Sequence, residues 1–228
     1  MAYRTVAIIP AAGKGTRIGE NTPKQYVLLN GKPMLQYPMQ TLCSITAIDH
    51  VYVVIDARDQ IWSQHDWPHY NGKLSVLRCG GASRAQTVLN GLQAIAPHML
   101  EDTWVLVHDA ARPGLQAADV NKLIRELQQD PVGGLLAVPL PDTLKKSDES
   151  KRVIDTVSRD HLWLAQTPQM FRYDLLKRAL NALPADTVTD EAQAIEAMGL
   201  KPKLVAGSAA NFKVTYPGDI ALMQKILK

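Results

Sequence analysis

Cysteine is nearly missing from this chain. Only Cys43 and Cys79 occur among 228 residues. Neither has a second Cys or a His at metal-ligand spacing, which argues against a disulfide framework and a zinc site and points to a reducing cytoplasm. No apolar run approaches the roughly 20 residues that span a bilayer. The run at 5–9 is interrupted by Pro10 and followed by Gly-Lys-Gly, unlike a secretory signal. The expected protein is soluble, unprocessed and cytoplasmic. Basic blocks are absent as well: 25 Lys and Arg are interspersed with 22 Asp and Glu, for a formal net charge of +3. A small anionic ligand is therefore expected rather than a nucleic acid. There is no G-x-S-x-G nucleophile elbow, and the six His residues (His50, His65, His69, His98, His108 and His161) show no triad or metal spacing. They read as structural or exposed.

Hydrophobic residues make up 46% of the chain, enough for a substantial core. Short Val/Ile/Leu-rich runs at 5–9, 50–55, 74–77, 104–107 and 134–138 read as strands buried on both faces. Helical spacing separates them at 34–44, 83–95 and 117–128, with Ser83 as an N-cap and Leu89, Leu92 and Ile95 on one stripe. Further helices are expected at 173–182, 190–198 and 217–227, and short strands at 203–205 and 212–214. The alternation predicts an α/β, Rossmann-like, mostly parallel sheet flanked by helices. The polar segment 139–160 breaks it: strand-like 142–144 and 153–157 flank a charged stretch at 145–152. That pattern reads equally as a projecting β-hairpin or a solvated loop. No repeat, low-complexity tract or flexible linker divides the chain, so 1–228 is expected to be one domain with 139–160 as its arm.

The first strand runs into Pro10-Ala11-Ala12-Gly13-Lys14-Gly15-Thr16-Arg17. Glycines let backbone N–H groups approach an anion, and a loop leaving a buried strand sits at the carboxyl edge of the sheet, where α/β proteins bind ligands. The loop is neither a dinucleotide fingerprint, which needs Gly at Ile18, nor a Walker loop, which needs Gly at Ile8 and Ser or Thr at Gly15. What remains is a glycine nest with Lys14, Arg17 and Lys24, cations suited to phosphoryl or nucleotidyl transfer; the plain alternative is a solvated turn. Asp109, just past the strand at 104–107, offers an oxygen ligand for Mg²⁺, or a partner for Arg112, or a helix cap. Gly80 and Gly81 precede a helix N-terminus at which Arg84 and Thr87 offer donors to a base or sugar; the plain alternative is a helix cap with a flexible entry. Thr189, Asp190 and Glu191 are explained as a helix cap with acidic residues on the dipole. Lys213, between Phe212 and Val214, reads as an inward Lys that needs an anion.

These motifs occur in order with Pro23-Lys24-Gln25-Tyr26, Pro141-Asp142-Thr143, Arg159, Thr167-Pro168-Gln169, Thr189-Asp190-Glu191-Ala192 and Asn211-Phe212-Lys213-Val214-Thr215. Together they resemble the 2-C-methyl-D-erythritol 4-phosphate cytidylyltransferases over nearly the whole chain. The resemblance implies transfer of a cytidylyl group from CTP to methylerythritol 4-phosphate with Mg²⁺, in non-mevalonate isoprenoid biosynthesis. It implies that Pro10, Ala11, Ala12, Gly13 and Gly15 wrap the triphosphate, that Ala11, Ala12, Gly81 and Thr87 read cytosine, and that Ala110 also lines the CTP site. Arg17, Lys24 and Lys213 would be the catalytic cations, and Asp109 would support the metal and the acceptor. Thr143, Arg159, Thr167, Thr189 and Lys213 would engage the acceptor, with Thr143 and Arg159 reaching across a homodimer on a swapped hairpin. The chain departs from the family where Ala82, Ser83 and Ala210 replace commonly acidic residues and Thr87 replaces Ser.

The chemistry agrees. A phosphate oxygen is already ionised at neutral pH, so the acceptor needs no protein base, and the task is to bring two anions together and offset their repulsion. Two alternatives are weighed: a cytidylyltransferase for another polyol phosphate such as ribitol 5-phosphate, and a nucleotide-sensing module without turnover.

Overall fold

The computed structural model describes residues 3–13 and 22–227. A seven-stranded sheet is built from β1 (Tyr3–Pro10), β4 (His50–Val54), β5 (Leu74–Leu77), β6 (Met99–Val107), β7 (Gly133–Pro139), β10 (Trp163–Arg172) and β11 (Lys203–Ala206). Its order is β11-β7-β10-β6-β1-β4-β5, and only β10 runs antiparallel to its neighbours. Two small antiparallel pairs lie outside it: β2 (Leu28–Leu29) with β3 (Lys32–Pro33), and β8 (Leu144–Ser147) with β9 (Val153–Val157). The helices are α1 (Gln36–Ser44), α2 (Arg84–Ile95), α3 (Ala117–Leu127), α4 (Tyr173–Ala182), α5 (Glu191–Glu196) and α6 (Pro217–Ile226). Among the described residues no helix is long and apolar enough to cross a membrane.

The continuous apolar strands follow from burial on two sides. Val6 and Ile8 of β1 lie in one core layer with Val88 and Leu92 of α2, Leu176 of α4 and Ile195 of α5. Ala7 and Ile9, whose side chains point the other way, pack with α1 and α3 through Met39, Leu42 and Leu123. Fully buried side chains of this kind each contribute about 1.5–3 kcal/mol relative to exposure. Ser83 caps α2, its hydroxyl accepting from Gln86 N, and the predicted stripe of Leu89, Leu92 and Ile95 is buried.

Two expectations are corrected, and one strand is added. Residues 212–214 form no strand; the segment is held to the body by Val214 N donating to Ala111 O. The first strand of the 139–160 segment lies at Leu144–Ser147 rather than 142–144, because charged Lys145 and Lys146 cost nothing in a hairpin open to solvent on both faces. Strand β10, between β6 and β7, went unpredicted because Gln166, Thr167, Pro168 and Gln169 interrupt its apolar pattern. Their polarity has a structural reason: the β10–β7 register breaks between Ala165 and Gln169, and this stretch faces the site.

Since β1, β4, β5 and β6 are parallel, the loops that follow them emerge at one edge. The antiparallel β10 delivers its N-terminal half to that same edge, since Gln169 lies opposite Val107 and places Thr167 beside Asp109. Beyond β7, the chain continues through β8 and β9 as an arm before returning as β10, and no residue from 140 to 165 is buried.

Candidate active site

The carboxyl edge holds a cleft of about 710 Å³. Its walls bring together Pro10, Ala11, Ala12 and Gly13 after β1, Lys24 and Gln25, Gly81 to Arg84 before and at the start of α2, Thr87, Asp109, Ala110 and Lys213. Gly15 and Arg17, with Lys14, lie outside the described residues. The 3₁₀ turn Lys24–Tyr26 is pinned to the opening loop by Gln25 Nε2 donating to Ala11 O at 2.8 Å, and to the β4–β5 connection by Tyr26 OH donating to Asp59 Oδ2 at 2.7 Å. Gly80 is required sterically: a Cβ there would lie 2.3 Å from the Ala12 Cβ and 2.9 Å from Ile55 O. Gly80 therefore permits the β5 loop to close on the β1 loop, while Gly81 lets the chain pass close to Gln86 of α2. Thr87 Oγ1 accepts from Gly81 N at 3.1 Å and donates to Ser83 O at 2.8 Å. Its hydroxyl thus shapes the Gly81 loop.

A smaller recess of about 150 Å³ adjoins this cleft and shares Arg84, Asp109 and Lys213 with it. Arg112, Thr167, Thr189 and Asp190 line its other side. Asp109 stands at the seam. Its Oδ1 accepts from Arg84 Nε at 2.7 Å, and its Oδ2 lies 2.9 Å from Lys213 Nζ and 3.6 Å from Arg112 Nε. Burial opposes ionisation of Asp109, but Arg84, Lys213 and Arg112 outweigh it and hold the carboxyl well below the usual carboxylate range.

A buried hydrogen-bond chain fixes the Asp109 backbone. His108 Nε2 lies 3.2 Å from Arg112 O, which can only accept, so the proton is assigned to Nε2. Nδ1 must then accept from the Thr167 hydroxyl at 2.9 Å, and Thr167 Oγ1 in turn accepts from Asp109 N at 3.0 Å. Burial pushes the His108 pKa down to about 4, only partly opposed by the nearby Asp109. The Thr167 hydroxyl proton is thereby committed inside the fold.

Several readings from sequence change here. Arg84 is no free donor: it carries Glu191 on Nη1 at 2.7 Å and Nη2 at 3.0 Å besides Asp109. Glu191 is a fully buried partner of Arg84, not merely a dipole-favouring residue; Asp190 provides the cap by accepting from Gln193 N. Nothing local distinguishes a buried Glu at the first helical position from an exposed one, so the sequence carried no signal for it. Lys213 does meet the anion it was expected to need, but from an exposed loop position. Thr189 is exposed at the recess, with its N and Oγ1 bonded to Gln193 Oε1. Thr143 and Arg159 are not brought to either recess; both are exposed on the arm, where the Arg159 guanidinium donates to Pro141 O. Asp56 and Arg58 line the cleft without having been singled out as ligands.

A profile of the 2-C-methyl-D-erythritol 4-phosphate cytidylyltransferase family matches residues 5–228. Among curated relatives, the 2-C-methyl-D-erythritol 4-phosphate cytidylyltransferase of Nitrosomonas eutropha is 53% identical over 225 residues, covering 98% of this chain and 96% of its own. That of Nitrosospira multiformis is 54% identical and covers 97% of each chain. Among solved structures, a 4-diphosphocytidyl-2C-methyl-D-erythritol synthase superimposes with a TM-score of 0.87 at 34% identity, covering 100% of both chains. The Francisella tularensis cytidylyltransferase gives 0.83 at 33%, covering 98% of this chain and 99% of its own.

Proposed function

The chain belongs to the 2-C-methyl-D-erythritol 4-phosphate cytidylyltransferase family, and from that membership we propose how its residues divide the reaction. The protein transfers the cytidylyl group of CTP to 2-C-methyl-D-erythritol 4-phosphate, giving 4-diphosphocytidyl-2-C-methyl-D-erythritol and pyrophosphate in isoprenoid biosynthesis. The observation that carries our assignment is the position of Asp109, ringed by cations where two recesses of unequal size meet.

CTP occupies the larger cleft. Pro10, Ala11, Ala12, Gly13 and Gly15 surround the triphosphate, Arg17 and Lys24 neutralise charge on its oxygens, and Gly81, Ala110 and the Thr87-braced loop face the base and ribose. The acceptor occupies the smaller recess, bounded by Asp109, Thr167, Thr189 and Lys213. Its phosphate attacks the α-phosphate of CTP in line, the bond to the pyrophosphate leaving group breaks, and both charges are offset by Arg17, Lys24 and Lys213. Lys213, with 42% of its side chain exposed, is placed to meet the acceptor phosphate.

Mg²⁺ fits in one manner. Among the described residues no three His, Cys, Asp or Glu side chains cluster around a cation position. Asp109 would hold the ion through Oδ2, whose near partner Lys213 is exposed, rather than through Oδ1, which Arg84 holds. Bound so, it supplies neutralisation of charge on the phosphate oxygens.

Thr143 and Arg159 complete the acceptor site of a partner subunit. Val153 and Ile154 of the arm are 62% and 61% exposed, and Val157, Leu162, Trp163 and Leu164 extend the apolar surface. Surface of this kind favours burial against a second copy. Both cysteines are free, in keeping with a cytoplasmic location.

An acceptor panel with CTP tests the assignment. Pyrophosphate release is expected with methylerythritol 4-phosphate far above ribitol 5-phosphate; a preference for ribitol 5-phosphate would overturn it. No finding favours the ribitol phosphate or the non-catalytic alternative.

A further inference from the structure

Of the three cations around the Asp109 carboxylate, the two in direct contact, Arg84 and Lys213, are held very differently, while Arg112 stands 3.6 Å from Oδ2. Arg84 spends three of its five N–H donors on two carboxylates, Nε on Asp109 Oδ1 and the Nη pair on Glu191. Glu191 is almost completely enclosed, with 1% of its side chain exposed. The planar guanidinium fork is therefore fixed between two carboxylates, one of them buried in the core. Lys213 is a flexible stem on a loop, touching the other Asp109 oxygen. The Oδ1 side of Asp109 is anchored by the fold, whereas on the Oδ2 side Arg112 is held by Asn211 O and Ala165 O and Lys213 is the partner that can exchange.

We propose that Glu191 and Arg84 are positioning residues of the cytidylyl transfer: Glu191 locks Arg84, Arg84 holds Asp109 Oδ1, and Oδ2 with Lys213 is thereby aimed at the seam between the two recesses. The inference rests on the reading that CTP and the acceptor occupy those recesses. Stability gives a poor account of the pair, because a buried ion pair replaced by apolar residues of similar volume is often no less stable. Location gives a better one. Arg84 opens α2 and lines the CTP cleft, while Glu191 opens α5 directly after Thr189 and Asp190, which line the acceptor recess. Ser83 Oγ donating to Ala185 O at 3.0 Å ties the same two regions together. The pair therefore sets Asp109 and the acceptor side relative to one another at the edge of the CTP cleft, without touching, among the described residues, the opening loop or Lys24.

The test compares Arg84→Lys, Glu191→Gln and the apolar pair Arg84→Met/Glu191→Met with wild type, by steady-state kinetics and thermal unfolding. Each variant is expected to lose at least about 10-fold in kcat and to raise the acceptor KM, while the KM for CTP moves less than about 3-fold. Arg84→Lys/Glu191→Gln is expected to be no slower than its slower parent, because both residues act through one chain of contacts. The Met/Met protein removes the Arg84 and Glu191 charges together and leaves Asp109 to Lys213 and Arg112; a cooperative thermal transition in it is expected, so that its turnover is read on folded protein. Full turnover in Met/Met would reduce the pair to packing and overturn the proposal, as would losses confined to the KM for CTP. A wild-type protein without turnover counts against the underlying reading instead.

Discussion

The Asp109 centre and the arm both carry residues that the family resemblance marks as functional, yet they are built in opposite ways. At the centre, Asp109, Glu191, His108 and Thr167 are buried and every one has partners within the chain. On the arm, Thr143 and Arg159 are exposed, and apolar Val153 and Ile154 face solvent. The difference teaches that the fold alone satisfies those buried polar groups around Asp109, while Thr143 and Arg159 stay at the surface, away from both recesses. Buried charges must be satisfied before anything binds; exposed ones can wait for the partner.

That contrast can be broken by experiment. Lys24→Ala and Lys213→Ala are expected to lower kcat by about 10²- to 10³-fold, the scale for removing one preorganised donor. Pyrophosphate release under saturating substrates measures it, and near-normal turnover in both would remove Lys24 and Lys213 from the reaction.

The next effect concerns the buried side of the contrast. His108 is held neutral, its pKa lowered from 6.5 to about 4. Between those values the unfolded chain binds a proton that the folded one refuses, so stability falls as pH drops through this window and is fully present above it. The loss totals about 3 kcal/mol, of which about 2 kcal/mol appears by pH 5, above the titration of most carboxylates. Urea unfolding at pH 7 and pH 5 checks this, with His108→Gln expected to lose most of the difference.

The exposed side is tested by mixing inactive copies. If Arg159 serves its partner, Arg159→Ala and Lys213→Ala chains form mixed dimers with one intact and one doubly broken site. An equal mixture exchanged to equilibrium should recover about one quarter of wild-type activity, since half of the dimers are mixed and each has one working site. No recovery would place Arg159 in its own chain's site. The smallest effect expected is on assembly: Val153→Ser/Ile154→Ser should weaken self-association about 10-fold or more by removing apolar burial. Sedimentation velocity across a dilution series measures it, and unchanged association would free the arm of that role.

Much of the fold was legible because the strands announce themselves. β1, β4 and β6 are covered on both faces, so their Val/Ile/Leu runs are continuous, and β5 was bounded to the residue. β10 was illegible for a complementary reason: it is the antiparallel strand whose polar middle supplies Gln166, Thr167 and Gln169 to the site, so function erased the pattern. The segment at 212–214 shows the converse, since two apolar residues flanking Lys213 imitate a strand where there is only a loop. Within the site, the glycine loop, Lys24, Asp109 and Lys213 could be singled out by residue type and place. His108 and Glu191 could not, because their meaning lies in contacts 59 and 107 residues away in the chain, to Thr167 and Arg84.

By itself, then, the sequence determined the α/β class, the loops that meet at one sheet edge, and the family to which their motifs belong. Those properties follow from local periodicity, turn chemistry and short motifs, each readable within a dozen residues. Only the tertiary structure decided which cations Asp109 keeps, that Thr167 gives its proton to His108, and that Arg84 is locked by Glu191. The physical reason is that a buried polar group is defined by its partners, and the chain supplies those partners from strands and helices far apart in sequence.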